Sequence, residues 1–465
     1  MPLEVKAKAS QIGEGHPVRV VPPDRALGIW GAYRAARRNL LELIPEAAYR
    51  EPVVPGDRGL GPGWLMVMDP PWLEHVLKTR EPDYPKSDIS RRILKPRDGE
   101  NVFTAHGADW RRQHRAMAPV FQHKALVSYV PVVSRAAEAA SDRLRAAASS
   151  RDGVADVYPA MVGATTDVIL DIALSGREAL DRASLNASVT RFVETVGRTS
   201  LLDILDAPAW VPRPARLFDR SIRRMDAFMD RIIADRRARG PAAVPDLLDR
   251  LLTAVDPQTG EPLTDVELRN NLLVFIVAGY ETTALALTWA LYLLAAHPEA
   301  QARIRESLAF LDGRAPAAED FPRLGPVRQI VEEAMRLYPP GALLSRKALA
   351  EDEIAGHPVR PGMLIILPIY ALHRHQAIWS APDRFDPARF APEAAKERHR
   401  FSYLPFSAGP RICLGLALAM MEAQVILATL VGRFEIGLAP QTRPQPRMTV
   451  TLRPEGGMPL RLTRL

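Results

Sequence analysis

Residues 406–415, FSAGPRICLG, hold the one cysteine of the chain, Cys413, among glycines and two residues after Arg411. A thiolate stays ionised where backbone N–H groups and positive charge converge on it, and glycine-rich turns permit that convergence. The stretch LGLALAMMEAQVILATLV reads as a helix and starts directly after the cysteine, so its positive end adds to the field. Three chemistries suit such a sulfur: a metal-bound thiolate, a nucleophile working with a histidine, and an inert buried thiol. Residues 278–283, AGYETT, set a second reactive group inside an apolar run. Gly279 would let a ligand approach the backbone, and Glu281 with Thr282 would offer a proton path. The competing reading of AGYETT is a kinked core helix with satisfied hydroxyls.

Charged pairs come next. In VEEAMRLYPP, Glu333 and Arg336 lie three apart and share a helix face, and Arg389 in DRFDPARF brings a second guanidinium from a loop. Together the three would lock a helix to a loop. In ADWRRQHRAM, Trp110 and His114 lie four apart, an indole N–H and an imidazole aimed from one face at a buried carboxylate. Arg346 in LLSRKA and Arg411 would be the cationic partners of such carboxylates. Each pattern alone also describes an ordinary helix face.

The elements that position these groups are mostly helical. TDVELRNNLLVFIVAGYETTALALTWALYLLAAHP opens with Thr264 and Glu267 at capping-box spacing and closes at His297-Pro298, a helix about 45 Å long. Its only charge between Leu272 and Ala296 is Glu281, so it is either a bilayer span or the centre of a large soluble body. The latter fits better, since interfacial aromatic and basic clusters are missing from its ends. From about residue 122 to residue 310 the periodicity is helical, as in VSRAAEAASDRLRAAA and RRMDAFMDRIIADRRA. Strand signals are confined to GWLMVMD, GMLIILPI and RMTVTLRP. The expected fold is mainly α with a small segregated β portion, one body over residues 1–465.

Composition narrows the class. An apolar share of 47% with 25% charged residues suits a folded soluble protein. A lone cysteine and an N-terminus without an apolar core point to the cytoplasm and away from a transmembrane anchor. The balance of 61 basic to 54 acidic residues gives +7, but the arginines are scattered and no nucleic-acid-binding motif accompanies them. An acidic protein partner is the better expectation.

Taken together the motifs resemble the cytochrome P450 superfamily from about residue 60 to the end of the chain. Phe406, Gly409, Arg411, Cys413 and Gly415 fill the positions of its cysteine signature, preceded in order by AGYETT, the Glu333–Arg336 pair and PARF with Arg389. The resemblance implies a triangular, helix-rich single body with haem b between the long central helix and the helix after the cysteine. It makes Cys413 the proximal thiolate, with Phe406 packed beside the sulfur. Trp110, His114, Arg346 and Arg411 would hold the haem propionates, His114 standing where many members carry arginine. Ala278 and Gly279 would lie over the distal face, Thr282 assisted by Glu281 would deliver protons, and Glu333, Arg336 and Arg389 would form a structural triad.

The implied activity is a monooxygenase that inserts one atom of dioxygen into a C–H or C=C bond of an apolar small molecule. Electrons would come from NAD(P)H through a separate acidic ferredoxin and ferredoxin reductase, or a flavodoxin, since no reductase is fused. A basic face including Arg111, Arg112, Lys396, Arg398 and Arg400 would receive that partner. Val102, Phe103, Phe275, Ala342, Leu343 and Leu344 are the expected pocket walls. ENVFTAHGADWRRQH has the style of bacterial fatty-acid hydroxylases, yet LGPGWLMVMD offers no arginine to hold a fatty acid's carboxylate, which keeps terpenoids and steroids open. A peroxide-driven enzyme and a non-catalytic haem sensor are the rival functions. The Glu281–Thr282 pair speaks against the first, and the lack of an output module against the second.

Overall fold

Helix Asp265–Ala296, 32 residues long, forms the axis of the molecule. It starts where expected: Thr264 accepts the Glu267 backbone N–H at 3.3 Å, and Glu267 accepts the Thr264 N–H at 2.9 Å. Every side chain from Ala284 to Ala295 is buried, which is why the sequence there is apolar on all sides. Fully buried leucines such as Leu285, Leu287 and Leu293 contribute roughly 1.5–3 kcal/mol each. The structure, a computed structural model, describes residues 17–56, 62–121, 126–149, 152–175 and 220–465. Parts of the expected helical region, residues 122–125, 150–151 and 176–219, lie outside the described residues.

Helices Val157–Leu174, Arg220–Arg239, Gly325–Leu337 and Leu416–Arg433 all pack against the central one. Three of these five, Val157–Leu174, Asp265–Ala296 and Leu416–Arg433, are long and apolar enough to cross a bilayer. Their apolar surface is spent on one another: 61%, 72% and 67% of their most apolar windows are buried inside the protein.

The β portion is small. A four-stranded sheet runs in the order Val53–Gly56, Trp64–Val67, Leu364–Leu367, Leu344–Lys347, its middle pair parallel and the outer pairs antiparallel. Arg346 is set opposite Ile365 in that sheet, which fixes its position at the edge of the helical body. Strand Pro459–Arg464 pairs antiparallel with both Val154–Asp156 and Phe434–Leu438. RMTVTLRP is not one strand. It folds back on itself, so that Gln445–Met448 pairs antiparallel with Leu452–Glu455, and this tight return puts Thr451 and Arg453 beside the central helix.

Candidate active site

The cysteine loop is pressed against the rest of the protein at Gly409. Its φ is +69°, and a Cβ there would lie 2.0 Å from the Leu77 carbonyl oxygen, so only glycine fits. The loop is closed by the Cys413 N–H donating to the Phe406 carbonyl at 3.0 Å, and the Leu416 N–H donates to the Cys413 carbonyl at 3.3 Å. The Cys413 side chain is a free thiol and is solvent-accessible, although most of its surroundings are protein. Burial pushes its pKa up, while the Gly415 N–H, the charge of Lys86 and the Leu416 N–H pull it down.

Cations cluster beside the cysteine loop. Arg411 donates to Glu81 at 3.0 Å and to the Ala105 carbonyl at 2.9 Å, and its guanidinium stacks 3.8 Å from the Trp110 ring centre. Trp110 and His114 share a face of helix Gly107–Met117, their rings 4.9 Å apart. Burial and the charge of Arg411 lower the His114 pKa. Arg346 is buried and donates to its neighbour's carbonyl, Ser345, at 3.1 Å; burial and Arg411 pull it down to about 10.

Lys86 completes the cluster and has no motif to announce it. Its ammonium sits 3.4 Å from the Phe103 ring centre and 3.1 Å from the Phe103 carbonyl, and its backbone bridges to Arg346. Burial, then Arg346 and Arg411, push it well below the usual lysine range. Among the described residues Arg346 and Arg411 thus share one carboxylate, Glu81, with Lys86 beside them, an imbalance that an anionic group would relieve.

On the opposite side, Thr282 donates to the Ala278 carbonyl at 2.9 Å, and Ala278 is the exposed residue of the motif. Gly279 does not open that face as expected. A Cβ on it would come 3.2 Å from Ile169, so the missing side chain serves close packing against helix Val157–Leu174. Glu281 also departs from expectation. It is buried and turned to the far side, where Arg453 at 2.6 Å, Tyr158 at 2.8 Å and Thr451 at 2.9 Å take its two oxygens. It is held by partners rather than free beside Thr282.

Glu333 and Arg336 are wholly buried and joined by two bonds of 2.6 and 2.8 Å. Arg336 also donates to the carbonyls of His373, Pro382 and Arg384, so the helix is locked to the loop through backbone as well as charge. Arg389 comes to 3.7 Å of Glu333, an ion pair without a hydrogen bond.

The Cytochrome P450 family model matches residues 61–460. The chain belongs to the cytochrome P450 family. It is 36% identical over 365 residues to cyclooctatin synthase of Streptomyces melanosporofaciens, covering 77% of this chain and 78% of that one. It is 32% identical over 364 residues to cyclooctat-9-en-7-ol 5-monooxygenase of the same organism, covering 76% of each. The crystal structure of the cytochrome P450DA heme domain superposes with a TM-score of 0.76 at 26% identity, covering 89% of this chain and 90% of that one. As a cytochrome P450 monooxygenase the protein uses haem and dioxygen, with electrons supplied from NAD(P)H through redox partners.

The donor set fits haem. A P450 thiolate needs a soft sulfur held by backbone N–H groups, which the cysteine loop supplies, and two carboxylates need the buried cations that flank it. The expected pocket walls differ in burial. Val102, Phe103, Phe275, Leu343 and Leu344 are half-buried, with Phe275 edge-on to Phe121 at 5.0 Å. Ala342 is instead fully buried, its carbonyl taking the Tyr370 N–H, so it belongs to the core. Asn271, which no motif singles out, accepts the Val102 N–H at 2.8 Å and ties that wall to the central helix.

The basic face is smaller than expected. Arg112 is paired with Glu267, and Arg398 lies over Trp379 and Phe390 while donating to the Arg389 carbonyl. Lys396 pairs with Glu393 at the surface. Arg111 and Arg400 are the exposed members of the set for which no ion pair is recorded among the described residues.

Proposed function

We propose that Cys413 is the proximal thiolate of haem b in an enzyme that hydroxylates an apolar, polycyclic, terpenoid-like molecule. The observation that carries the site assignment is the cluster of Lys86, Arg346 and Arg411 beside the only cysteine, with Glu81 the carboxylate that Arg346 and Arg411 share among the described residues. The substrate class rests on the two Streptomyces relatives, one of which is named for oxidising a cyclic alkenol at position 5. Haem supplies dioxygen activation and the oxidation of a C–H bond.

The chain's own residues have separate tasks. Trp110, His114, Arg346, Arg411 and Lys86 would hold the haem propionates. Ala278 would leave room beside the haem, and the Thr282 hydroxyl, bonded to the Ala278 carbonyl, would hold the proton that oxygen chemistry at the haem requires. Glu281, tied to Arg453, Tyr158 and Thr451 on the far side of the helix, fixes the segment that carries Thr282. Val102, Phe103, Phe275 and Leu344 exclude water and hold the substrate carbon. Electrons arrive from a separate acidic ferredoxin, and the cytoplasm is the compartment that keeps Cys413 reduced.

The test is a reconstituted turnover with ferredoxin, ferredoxin reductase and NADPH under labelled dioxygen, alongside the carbon monoxide difference spectrum of the reduced protein. A thiolate-type spectrum that Cys413→Ser abolishes, and a product carrying one labelled oxygen, are expected. Retention of the spectrum in the serine variant overturns the ligand assignment; product formed only with peroxide overturns the dioxygen reading.

A further inference from the structure

The central helix carries a second polar feature, away from Thr282 and unused by the reading above. Asp226 on helix Arg220–Arg239 is 5% exposed, and its Oδ2 has no hydrogen-bond partner among the described residues. An acceptor left bare in the interior is costly unless something occupies it. Asp226 lines a cavity of about 20 Å³ whose other walls include Leu94, Leu273, Val274 and Val277. That volume takes about one oxygen atom with its hydrogens.

Lys95, also in the wall, is exposed to solvent, and the arginines around Asp226 have partners of their own. Arg269 pairs with Asp230 at 3.3 Å, Arg97 pairs with Asp98 at 2.8 Å, and Arg97 comes only to 4.0 Å of Asp226. Asn270, also in the wall, gives its amide to the Asp98 carbonyl at 2.7 Å and the Glu100 carbonyl at 3.4 Å. The group left over is therefore an acceptor. Burial raises the Asp226 pKa, partly offset by Arg269 and Arg97, and in either protonation state a carboxyl oxygen remains to accept.

Position makes the notch relevant to the reaction. Asn270, Leu273, Val274 and Val277 follow one another along one flank of the helix that also carries Ala278 and Thr282. From Asn270 to Ala278 is eight residues, about 12 Å along the axis. The loop that forms the facing wall runs on into Val102 and Phe103. A rigid polycyclic molecule of that length would span from notch to reactive centre.

We infer that Asp226 is a specificity-determining residue that accepts a hydrogen bond from a hydroxyl on the far end of an otherwise apolar polycyclic substrate. The inference rests on the haem-thiolate reading above and narrows it: the substrate is an alcohol before this enzyme acts on it. An earlier oxygenation or a hydrating cyclisation must therefore supply it. A fatty acid would bring its carboxylate against another carboxyl, and a plain hydrocarbon would leave Asp226 bare.

Calorimetric titration of the haem-loaded protein with cedrol and cedrane, a polycyclic alcohol and its matching hydrocarbon, reads the anchor directly. Titration with 1-dodecanol and dodecanoate does so for a chain. The wild type should bind each alcohol roughly ten-fold or more tightly than its partner compound. Asp226→Leu should erase that ratio without weakening cedrane, and Asp226→Asn, which keeps an acceptor, should preserve most of it. Should the leucine variant not fold, Asp226→Ala reads the same loss. A wild type that prefers neither alcohol, whether or not the pairs bind, overturns the anchor, as does a ratio unchanged in the leucine or alanine variant or a preference for dodecanoate. The carbon monoxide spectrum of the same samples reports the haem-thiolate site independently, so failure of one reading is distinguishable from failure of the other.

Discussion

Glu281 and Thr282 are neighbours in sequence with opposite surroundings, because successive residues on a helix point about a quarter-turn or more apart. Thr282 has its hydroxyl on a backbone carbonyl, a bond of low consequence for the fold. Glu281 is tied to Arg453, Tyr158 and Thr451 across three other segments of chain. The two substitutions should therefore separate. Thr282→Ala should leave the melting temperature unchanged while product formed per electron consumed falls by roughly an order of magnitude. Arg453→Met leaves a buried carboxylate without its cation and should destabilise the protein by about 3 kcal/mol in denaturant titration, with Arg453→Lys recovering part of the loss. Full coupling in the threonine variant would remove Thr282 from proton delivery. An arginine variant as stable as wild type would mean that the ion pair contributes nothing net.

At the level of elements, the helix carrying Trp110 and His114 is held in place by ion pairs as well as by the buried Trp110, Ala116 and Met117. Glu267 caps the central helix with one oxygen and receives Arg112 and Gln113 on the other. Arg115 meets Asp256 through two bonds, of 2.7 and 2.6 Å. Arg115 holds the Asp256 carboxyl well below the usual carboxylate range, helped by the Gln258 N–H and the Thr259 hydroxyl. The sign follows from that depression. A carboxylate whose folded pKa lies below its unfolded value stabilises the fold above about pH 4, and the contribution fades as the pH falls through the folded value. Asp256→Asn should thus lower the melting temperature at neutral pH, and the gap to wild type should narrow as the pH is taken below about 4. A gap constant with pH would assign the loss to packing instead. The cap made by Thr264 and Glu267 is legible in the sequence because capping is local. The second duty of Glu267 is not, since Arg112 lies 155 positions away in the chain.

Across the whole molecule, what the sequence discloses is the set of residues bound by fixed local spacing: the cysteine loop, the Glu333–Arg336 pair, the central helix and the helix-dominated class. Lys86, Asp226 and Arg453 escape it because each acquires its role from segments far away in the chain, as does Arg112, whose partner removes it from the surface set. This changes where an acidic electron donor should dock. Arg111 lies close enough to Arg411 of the cysteine loop to depress its pKa, after the larger effect of burial. Arg400 acts on Glu74, directly before the segment His75–Thr79 against which Gly409 is pressed. Both are exposed, and the chain as a whole carries +7, so the cysteine side is the natural face for steering. Charge reversal at Arg111 and Arg400 should slow reduction by an acidic ferredoxin roughly ten-fold at low salt and flatten its dependence on ionic strength, with the melting temperature retained. Arg112→Glu should do the reverse: it sets two carboxylates against each other at Glu267, so stability falls first. Reduction rates in the Arg111 and Arg400 variants equal to wild type at every salt concentration would place the electron donor on another face.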